Sequence, residues 1–199
     1  MDSDKKQDYR MSFSRAYLEN LREALRHVPV QEMARAMAEL ERAYLGEHSV
    51  FLAGNGGSAA TASHMANDLL KGVAQATGKG LRAIALTDNV PVITAIANDQ
   101  DYSEIFAAQL AILGREGDVL LVISGSGNSP NILRALEVAR QKRMTSVAFL
   151  GMGGGKALPM ADIAIVAPSD DYGPIEILHM VFDHMAVSYF KSRVREARG

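Results

Sequence analysis

The 199-residue sequence contains no cysteine and no tryptophan, and aromatic residues make up only 6% of it. The absence of cysteine excludes disulfide bonds and thiolate metal sites. The scarcity of aromatic side chains argues against a surface on which nucleic-acid bases stack. The formal net charge is -2 and the basic residues are scattered along the chain, whereas a nucleic-acid surface needs clustered positive charge. We therefore expect no nucleic-acid partner.

Long hydrophobic runs are also missing. No apolar run approaches the length of about 20 residues that a membrane-spanning helix needs. The first eight residues are polar and lack the apolar core of a signal peptide. Because 48% of the residues are hydrophobic and no linker interrupts the chain, we expect one domain over residues 1–199 with a well-formed core. A cytoplasmic protein without membrane contacts is the expectation.

The first quarter of the chain predicts a helical arm over about residues 12–45. Apolar residues recur at helical spacing with a break near residue 29, which predicts helices over Phe13–Arg26 and Val30–Tyr44. The apolar stripe of the first helix comprises Phe13, Tyr17, Leu21, Ala24 and Leu25. Such stripes can cover the domain's own sheet or pack against another subunit, and the pattern favours neither.

From residue 49 onward, short apolar segments alternate with helical ones. The predicted strands are Ser49–Ala53, Arg82–Leu86, Val119–Ile123, Ser146–Leu150 and Ile163–Val166. Alternation of this kind predicts parallel pairing with helical crossovers. The fold class is therefore α/β, a doubly wound five-stranded parallel sheet flanked by helices, with its core over about residues 49–199.

Two glycine-rich loops point to a phosphate site. Residues 124–129 lie between a predicted strand and a helix, with Ser129 at the N-cap position and Pro130 in the first turn. A helix N-terminus offers free N–H groups and the positive end of the dipole to an anion. The loop contains no Lys or Arg, so it predicts a pocket of neutral donors. Residues 54–58 follow the first strand at the same sheet edge, where ligands bind in such folds. An ordinary polar turn is the alternative.

Two helices carry a second set of polar groups. His64 and Asp68 are four residues apart and share one helix face. On the C-terminal helix, Glu176 and His184 lie about 80° apart, whereas His179 lies about 140° from His184. The histidine and carboxylate of each helix could transfer protons or hold a divalent metal. The alternative is that these side chains bond only one another and water.

The combined motifs resemble those of a known family. Residues 54–60, His64, residues 94–99 and residues 124–130 are similar to motifs of the sugar isomerase (SIS) domain family, and within it to the phosphoheptose isomerases. The resemblance implies a flavodoxin-like fold and a homotetramer with sites at subunit interfaces. It also implies isomerisation of sedoheptulose 7-phosphate to an aldose heptose 7-phosphate through an enediol or enediolate, in heptose precursor biosynthesis.

The resemblance also implies roles for individual residues. Those expected to bind substrate are Asn55, Gly56, Gly57, Ser58, Asn98, Asp99, Ser124, Gly125, Ser126, Ser129 and Glu176. Those expected to hold zinc are His64, Asp68, Glu176 and His184. Asp68, Glu176 and His184 are the expected catalytic groups.

Three positions depart from the family pattern. Asp68 stands where the family has glutamate, Glu176 where it has glutamine, and Gly125 where threonine is common. A shorter base is costly, because a small misplacement of a catalytic group lowers the rate by orders of magnitude. Glu176 could serve as the base while Asp68 remains a ligand. The alternatives are a different substrate, or a non-catalytic SIS-domain protein that binds phosphosugars or serves as a replication-initiator-associated scaffold.

Overall fold

The computed structural model describes the backbone of residues 3–198 and the side chains of residues 6–193. Its strands are β1 (Ser49–Gly54), β2 (Arg82–Ala85), β3 (Val119–Ser124), β4 (Thr145–Leu150) and β5 (Ile163–Val166). They form one sheet in the order β2-β1-β3-β4-β5, and every neighbouring pair is parallel. The predicted five-stranded, doubly wound sheet is confirmed.

In the part of the chain that the structure describes, eight α-helices flank this sheet. They are α1 (Ser3–Arg26), α2 (Val30–Leu45), α3 (Gly57–Asn67), α4 (Val73–Thr77), α5 (Val90–Asp99), α6 (Ala107–Leu113), α7 (Pro130–Gln141) and α8 (Tyr172–Arg198). A π-helical segment, Asp68–Gly72, joins α3 to α4. Helix α6 was not predicted, because its seven residues are too few for a clear periodic pattern. Within the described residues, no helix is long and apolar enough to cross a membrane.

The sheet is covered on both faces. Val50 and Leu52 face one core with α2, α3, α4 and α8, whereas Phe51 and Ala53 face the other with α6 and α7. All six residues of β1 and of β3 are buried. Burial on both faces explains why these strands are continuous apolar runs rather than alternating ones.

The two arm helices behave differently. Helix α2 packs on the sheet, with Met33 and Leu40 at 2% and 0% exposure. Among the described side chains of α1 only Ala24 is buried, in a small cluster with Ile175 and Leu178 of α8. Phe13 is 60% exposed. The two helices of the arm thus differ, because α2 covers the sheet, whereas α1 leaves Phe13 and Leu25 of its apolar stripe exposed.

Strand order also fixes where a ligand can bind. The connection from β1 leads to β2 on one side, whereas the connection from β3 leads to β4 on the other. The crevice between the carboxyl ends of β1 and β3 is therefore the topological switch point, the usual ligand position in doubly wound sheets. Both glycine-rich loops begin there.

Candidate active site

A cavity of about 240 Å³ opens at this switch point. It is lined by Asn55, Gly57, Ser58, Ile123, Ser124, Gly125, Ser126, Ser129, Tyr172 and Glu176. Eight of the residues predicted to bind substrate therefore meet in one pocket. Gly56 forms the N-cap of α3 but does not line the cavity.

Apart from the Glu176 carboxylate, the groups that line the pocket are neutral, and several of them suit an anion. Helix α3 starts at Gly57 and α7 starts at Pro130, so two helix N-termini end at the cavity. Ser129 occupies the N-cap of α7, but its side chain makes no capping hydrogen bond. No lysine or arginine lines the cavity. The free hydroxyl and the two dipoles can together hold a phosphate without a cation.

The second loop is held in shape by its own backbone. The Gly127 N–H donates to the Ser124 carbonyl and to the Ser124 hydroxyl, both at 3.2 Å. Gly127 has φ +63°, and a Cβ there would overlap the Gly154 carbonyl. Asn128 donates its side-chain amide to the Ser126 carbonyl at 2.9 Å. Glycine is thus required where the loop crosses the 151–155 turn.

An amide pair joins the two loops. The side chains of Asn55 and Asn131 donate to each other, at 2.9 and 2.8 Å, and the Tyr102 hydroxyl donates to the Asn55 oxygen at 3.1 Å. Asn131 is 1% exposed. Sequence reasoning missed Asn131 and Tyr102. The only sequence feature that could have identified Asn131 is its position as a polar residue on the buried face of α7.

Glu176 lies over the start of α3. A Cβ at Gly57 would collide with the Glu176 carboxylate, so glycine at that position leaves room for it. Glu176 is half-buried, and the structure gives it no hydrogen-bond or ion-pair partner among the described residues. A Cβ at Gly125 would lie 2.7 Å from the ring of Tyr172. The tyrosine ring thus fills the space that a larger residue at 125 would need.

A second polar cluster lies further along α3 and α8. It comprises His64, Asp68, Asp183 and His184, whose ligand atoms all lie within 4.8 Å of one another. The Nε2 atoms of His64 and His184 are 3.4 Å apart. The Nε2 atom of His64 lies 3.5 Å from an Asp68 oxygen and 3.7 Å from an Asp183 oxygen. The Nε2 of His184 lies 4.0 Å from the same Asp68 oxygen.

Asp183 is the member that the sequence analysis did not select. It is 0% exposed, and neither of its oxygens has a hydrogen-bond partner among the described residues. Burial raises the pKa of its carboxyl to about 6; Asp68 adds to the rise, while His64 and His184 oppose it. Phe182, Ala186 and Phe190 form the buried stripe of α8. A carboxylate on that stripe is the sequence feature that could have identified Asp183.

The cluster fits a divalent metal. In a tetrahedral zinc site with bonds of about 2.1 Å, neighbouring ligand atoms lie about 3.4 Å apart, close to the separations of 3.4, 3.5 and 3.7 Å around His64. Two imidazole nitrogens that face each other also need a proton or a cation between them. Imidazole and carboxylate are suitable zinc ligands.

Glu176 lies outside this cluster within one chain. It is eight residues from His184, so the rise along α8 separates them by about 12 Å although they share a helix face. The angular reasoning from the sequence omitted this rise. Asn98 and Asp99 lie exposed at the end of α5, where the Asn98 amide donates to Asp99 at 2.8 Å. Neither lines the cavity, and their sugar contact stays a prediction.

The chain is similar to proteins of a known family. Residues 13–151 match the model of the SIS domain family. The chain belongs to the SIS domain family. A phosphoheptose isomerase of Helicobacter pylori is 40% identical over 168 residues, which are 84% of this chain and 83% of that protein. A phosphoheptose isomerase of Burkholderia pseudomallei is 45% identical over 136 residues, 68% of each protein.

Solved structures support the same SIS-family assignment. A phosphoheptose isomerase from Francisella tularensis superimposes with a TM-score of 0.82 at 35% identity, covering 96% of this chain and 100% of that one. One from Neisseria gonorrhoeae gives a TM-score of 0.83 at 31% identity, covering 94% and 98%. The family resemblance predicted from the glycine-rich loops and His64 is therefore confirmed.

Proposed function

We propose that this SIS-family protein is a phosphoheptose isomerase that converts sedoheptulose 7-phosphate to an aldose heptose 7-phosphate. The observation that carries the proposal is the pocket between β1 and β3, where two helix N-termini and free serine hydroxyls surround a space with a carboxylate at its wall. Relatives named phosphoheptose isomerase align over most of the chain.

The substrate phosphate would bind to the loop from Ser124 to Ser129. Backbone N–H groups and the hydroxyls of Ser126 and Ser129 would donate to it. A phosphate at the N-terminus of α7 is stabilised by the helix dipole and by groups that need no rearrangement. Nearby Glu176 is negative and unpartnered, which weakens anion binding, so its presence supports a chemical rather than a binding role.

Aldose–ketose isomerisation moves one proton between adjacent carbons and others between the two oxygens. Glu176 faces the pocket without a partner, whereas Asp68 lies within reach of two imidazoles. We therefore assign the carbon-to-carbon transfer to Glu176. Within one chain His184 lies about 12 Å along α8 from Glu176, so the His184 that exchanges a proton with the oxygens of the same two carbons would come from a second copy of the chain. Its side chain is 61% exposed, and the ring nitrogen that does not face the cluster can make this exchange.

Zinc would be held by His64, Asp68 and His184, three of the four ligands predicted from the sequence. When bound, a divalent metal supplies a Lewis acid that polarises a carbonyl oxygen. The pocket and the cluster are about 10 Å apart along α3, given seven residues of helical rise from Gly57 to His64. The carbonyl that reacts beside Glu176 is therefore out of reach of the metal of the same chain, and the polarising metal would be that of a second copy.

A homotetramer in the cytoplasm completes the proposal. Tyr9 and Phe13 on α1 are 65% and 60% exposed, and their ring centroids are 6.4 Å apart. Burial of this apolar surface against a second copy would stabilise an assembly. A second copy would also bring Asn98 and Asp99 toward a pocket that they do not reach in their own chain. Sugar phosphates are charged and do not cross membranes unaided, which supports a cytoplasmic location.

The test is turnover by the purified protein, followed by NMR of the sugar carbons. Sedoheptulose 7-phosphate should be converted to the aldose, and a ketose phosphate of six carbons should react more slowly. Glu176→Gln should lower kcat strongly with little change in KM, because the amide cannot accept a proton. An unchanged kcat in that variant would reassign the proton transfer to Asp68, for which Asp68→Asn is the matched variant.

A further inference from the structure

The proposed isomerisation does not use the buried carboxylate of Asp183. It is 0% exposed and lies on α8 between the core residue Phe182 and the exposed His184. A carboxylate that loses its water on folding is costly unless a charge or hydrogen bonds compensate it. Both of its oxygens lack a hydrogen-bond partner within the described part of the chain. Among the described residues, the compensation comes from the His64 imidazole, whose Nε2 lies 3.7 Å from one oxygen, and a cation bound at this point would supply the rest.

The carboxylate points to the histidine pair. One Asp183 oxygen lies 3.7 Å from the Nε2 of His64, which itself lies 3.4 Å from the Nε2 of His184. Asp68 approaches the same point from the start of the π-helical segment that follows α3, with an oxygen 3.5 Å from His64. Two imidazoles and two carboxylates thus meet around one centre, and each is supplied by the same chain.

We propose that Asp183 is a zinc ligand and completes, with His64, Asp68 and His184, a four-ligand site within a single chain. This inference rests on the zinc site of the proposed function and changes its composition. Glu176 is then released from the metal and stays in the substrate pocket. Two carboxylates neutralise a divalent cation, and burial of Asp183 strengthens its attraction to the metal.

In the alternative arrangement, the fourth zinc ligand is Glu176 rather than Asp183. Glu176 is about 12 Å along α8 from His184, so it could reach the cluster only from a second copy of the chain. Zinc binding would then depend on subunit assembly and on Glu176. In the single-chain site, zinc binding depends on Asp183 and survives dissociation of the subunits.

The experiment measures zinc affinity and the absorption spectrum of the cobalt-substituted protein. Full-length parent, Asp183→Asn and Glu176→Gln are stripped of metal and titrated with each ion in competition with a chelator. We expect one zinc per chain in the parent and an unchanged affinity in Glu176→Gln. Asp183→Asn should bind at least about 100-fold more weakly, since loss of even an outer partner costs about 10- to 100-fold. The cobalt spectrum should change only in Asp183→Asn.

Three results would overturn the proposal. They are loss of zinc in Glu176→Gln with retention in Asp183→Asn, unchanged affinity in both variants, and no zinc in the parent. Circular dichroism of the metal-free proteins establishes that each variant folds, and Asp183→Ala serves as a second variant if the asparagine does not. Turnover of sedoheptulose 7-phosphate by the parent is measured separately, both metal-free and with excess zinc. It distinguishes a failed metal site from a failed isomerase assignment.

Discussion

His179 is a buried histidine whose effect on stability should depend strongly on pH. Its side chain is 2% exposed, its Nε2 donates to the Leu150 carbonyl at 3.2 Å, and its Nδ1 has no partner among the described residues. Burial lowers its pKa from 6.5 to about 4, against a smaller opposing effect of the bond to Leu150. The sequence analysis had already set His179 apart from the metal site.

The unfolded state binds a proton on His179 at a higher pH than the folded state does. The pKa of His179 is 6.5 in the unfolded chain and about 4 in the folded chain, so the free energy of unfolding decreases as the pH falls from 6.5 to 4. At pH 5 the loss is about 2 kcal/mol relative to pH 8. Asp183 acts in the opposite sense, because its raised pKa of about 6 destabilises the metal-free fold most above that pH.

His179→Phe isolates the histidine from Asp183. The variant keeps a ring of similar size, and the Leu150 carbonyl still accepts from the Ala167 N–H at 2.8 Å. Urea unfolding of both proteins, metal-free and at one concentration, gives the difference in free energy of unfolding at each pH. That difference should shift by about 2 kcal/mol in favour of the variant between pH 8 and pH 5. If the free energies of unfolding of the two proteins changed in parallel with pH, the reasoning would be refuted. His179 would then bind its proton at the same pH in the folded and unfolded states.

Further predictions concern the phosphate loop and assembly. Ser126→Ala and Ser129→Ala should each weaken sugar-phosphate binding by about 1–2 kcal/mol, and calorimetric titrations equal to the parent would remove that hydroxyl from the site. Gly127→Ala should lower the melting temperature and abolish binding, because φ is +63° and a Cβ meets the facing carbonyl. Gly153→Ala, with φ +75° and nothing within 4 Å, should show the backbone strain alone, about 1 kcal/mol. Phe13→Glu should shift a tetramer toward smaller species in light scattering, and an unchanged mass would exclude α1 from the interface.

The fold could be predicted because its signals are local. Strands buried on both faces read as apolar runs, and each glycine-rich loop follows such a run directly. The order of the strands, and hence the meeting of residues 54–58 with residues 124–129, follows from parallel pairing with crossovers. All five strands were therefore located to within one residue at either end.

The site could be predicted only in part, because its composition depends on distances between elements. The loops and the pair of His64 and His184 were predicted, and they meet as expected. The sequence reasoning placed Glu176 and His184 on one helix face but did not count the axial rise, which separates them by about 12 Å. The roles of Glu176 as catalytic group and zinc ligand stay predictions. Asp183 was passed over, since only packing against the sheet shows that its carboxylate is buried.

The most direct test of the isomerase assignment is an incubation of the purified protein with sedoheptulose 7-phosphate in deuterium oxide, followed by proton and carbon NMR. A base that moves a proton between carbons exchanges it with solvent during the reaction. The account predicts an aldose heptose 7-phosphate that carries deuterium at C2. A ketose that binds in the pocket but stays unconverted and free of deuterium would contradict it, and would identify the chain as a phosphosugar-binding member of the SIS family.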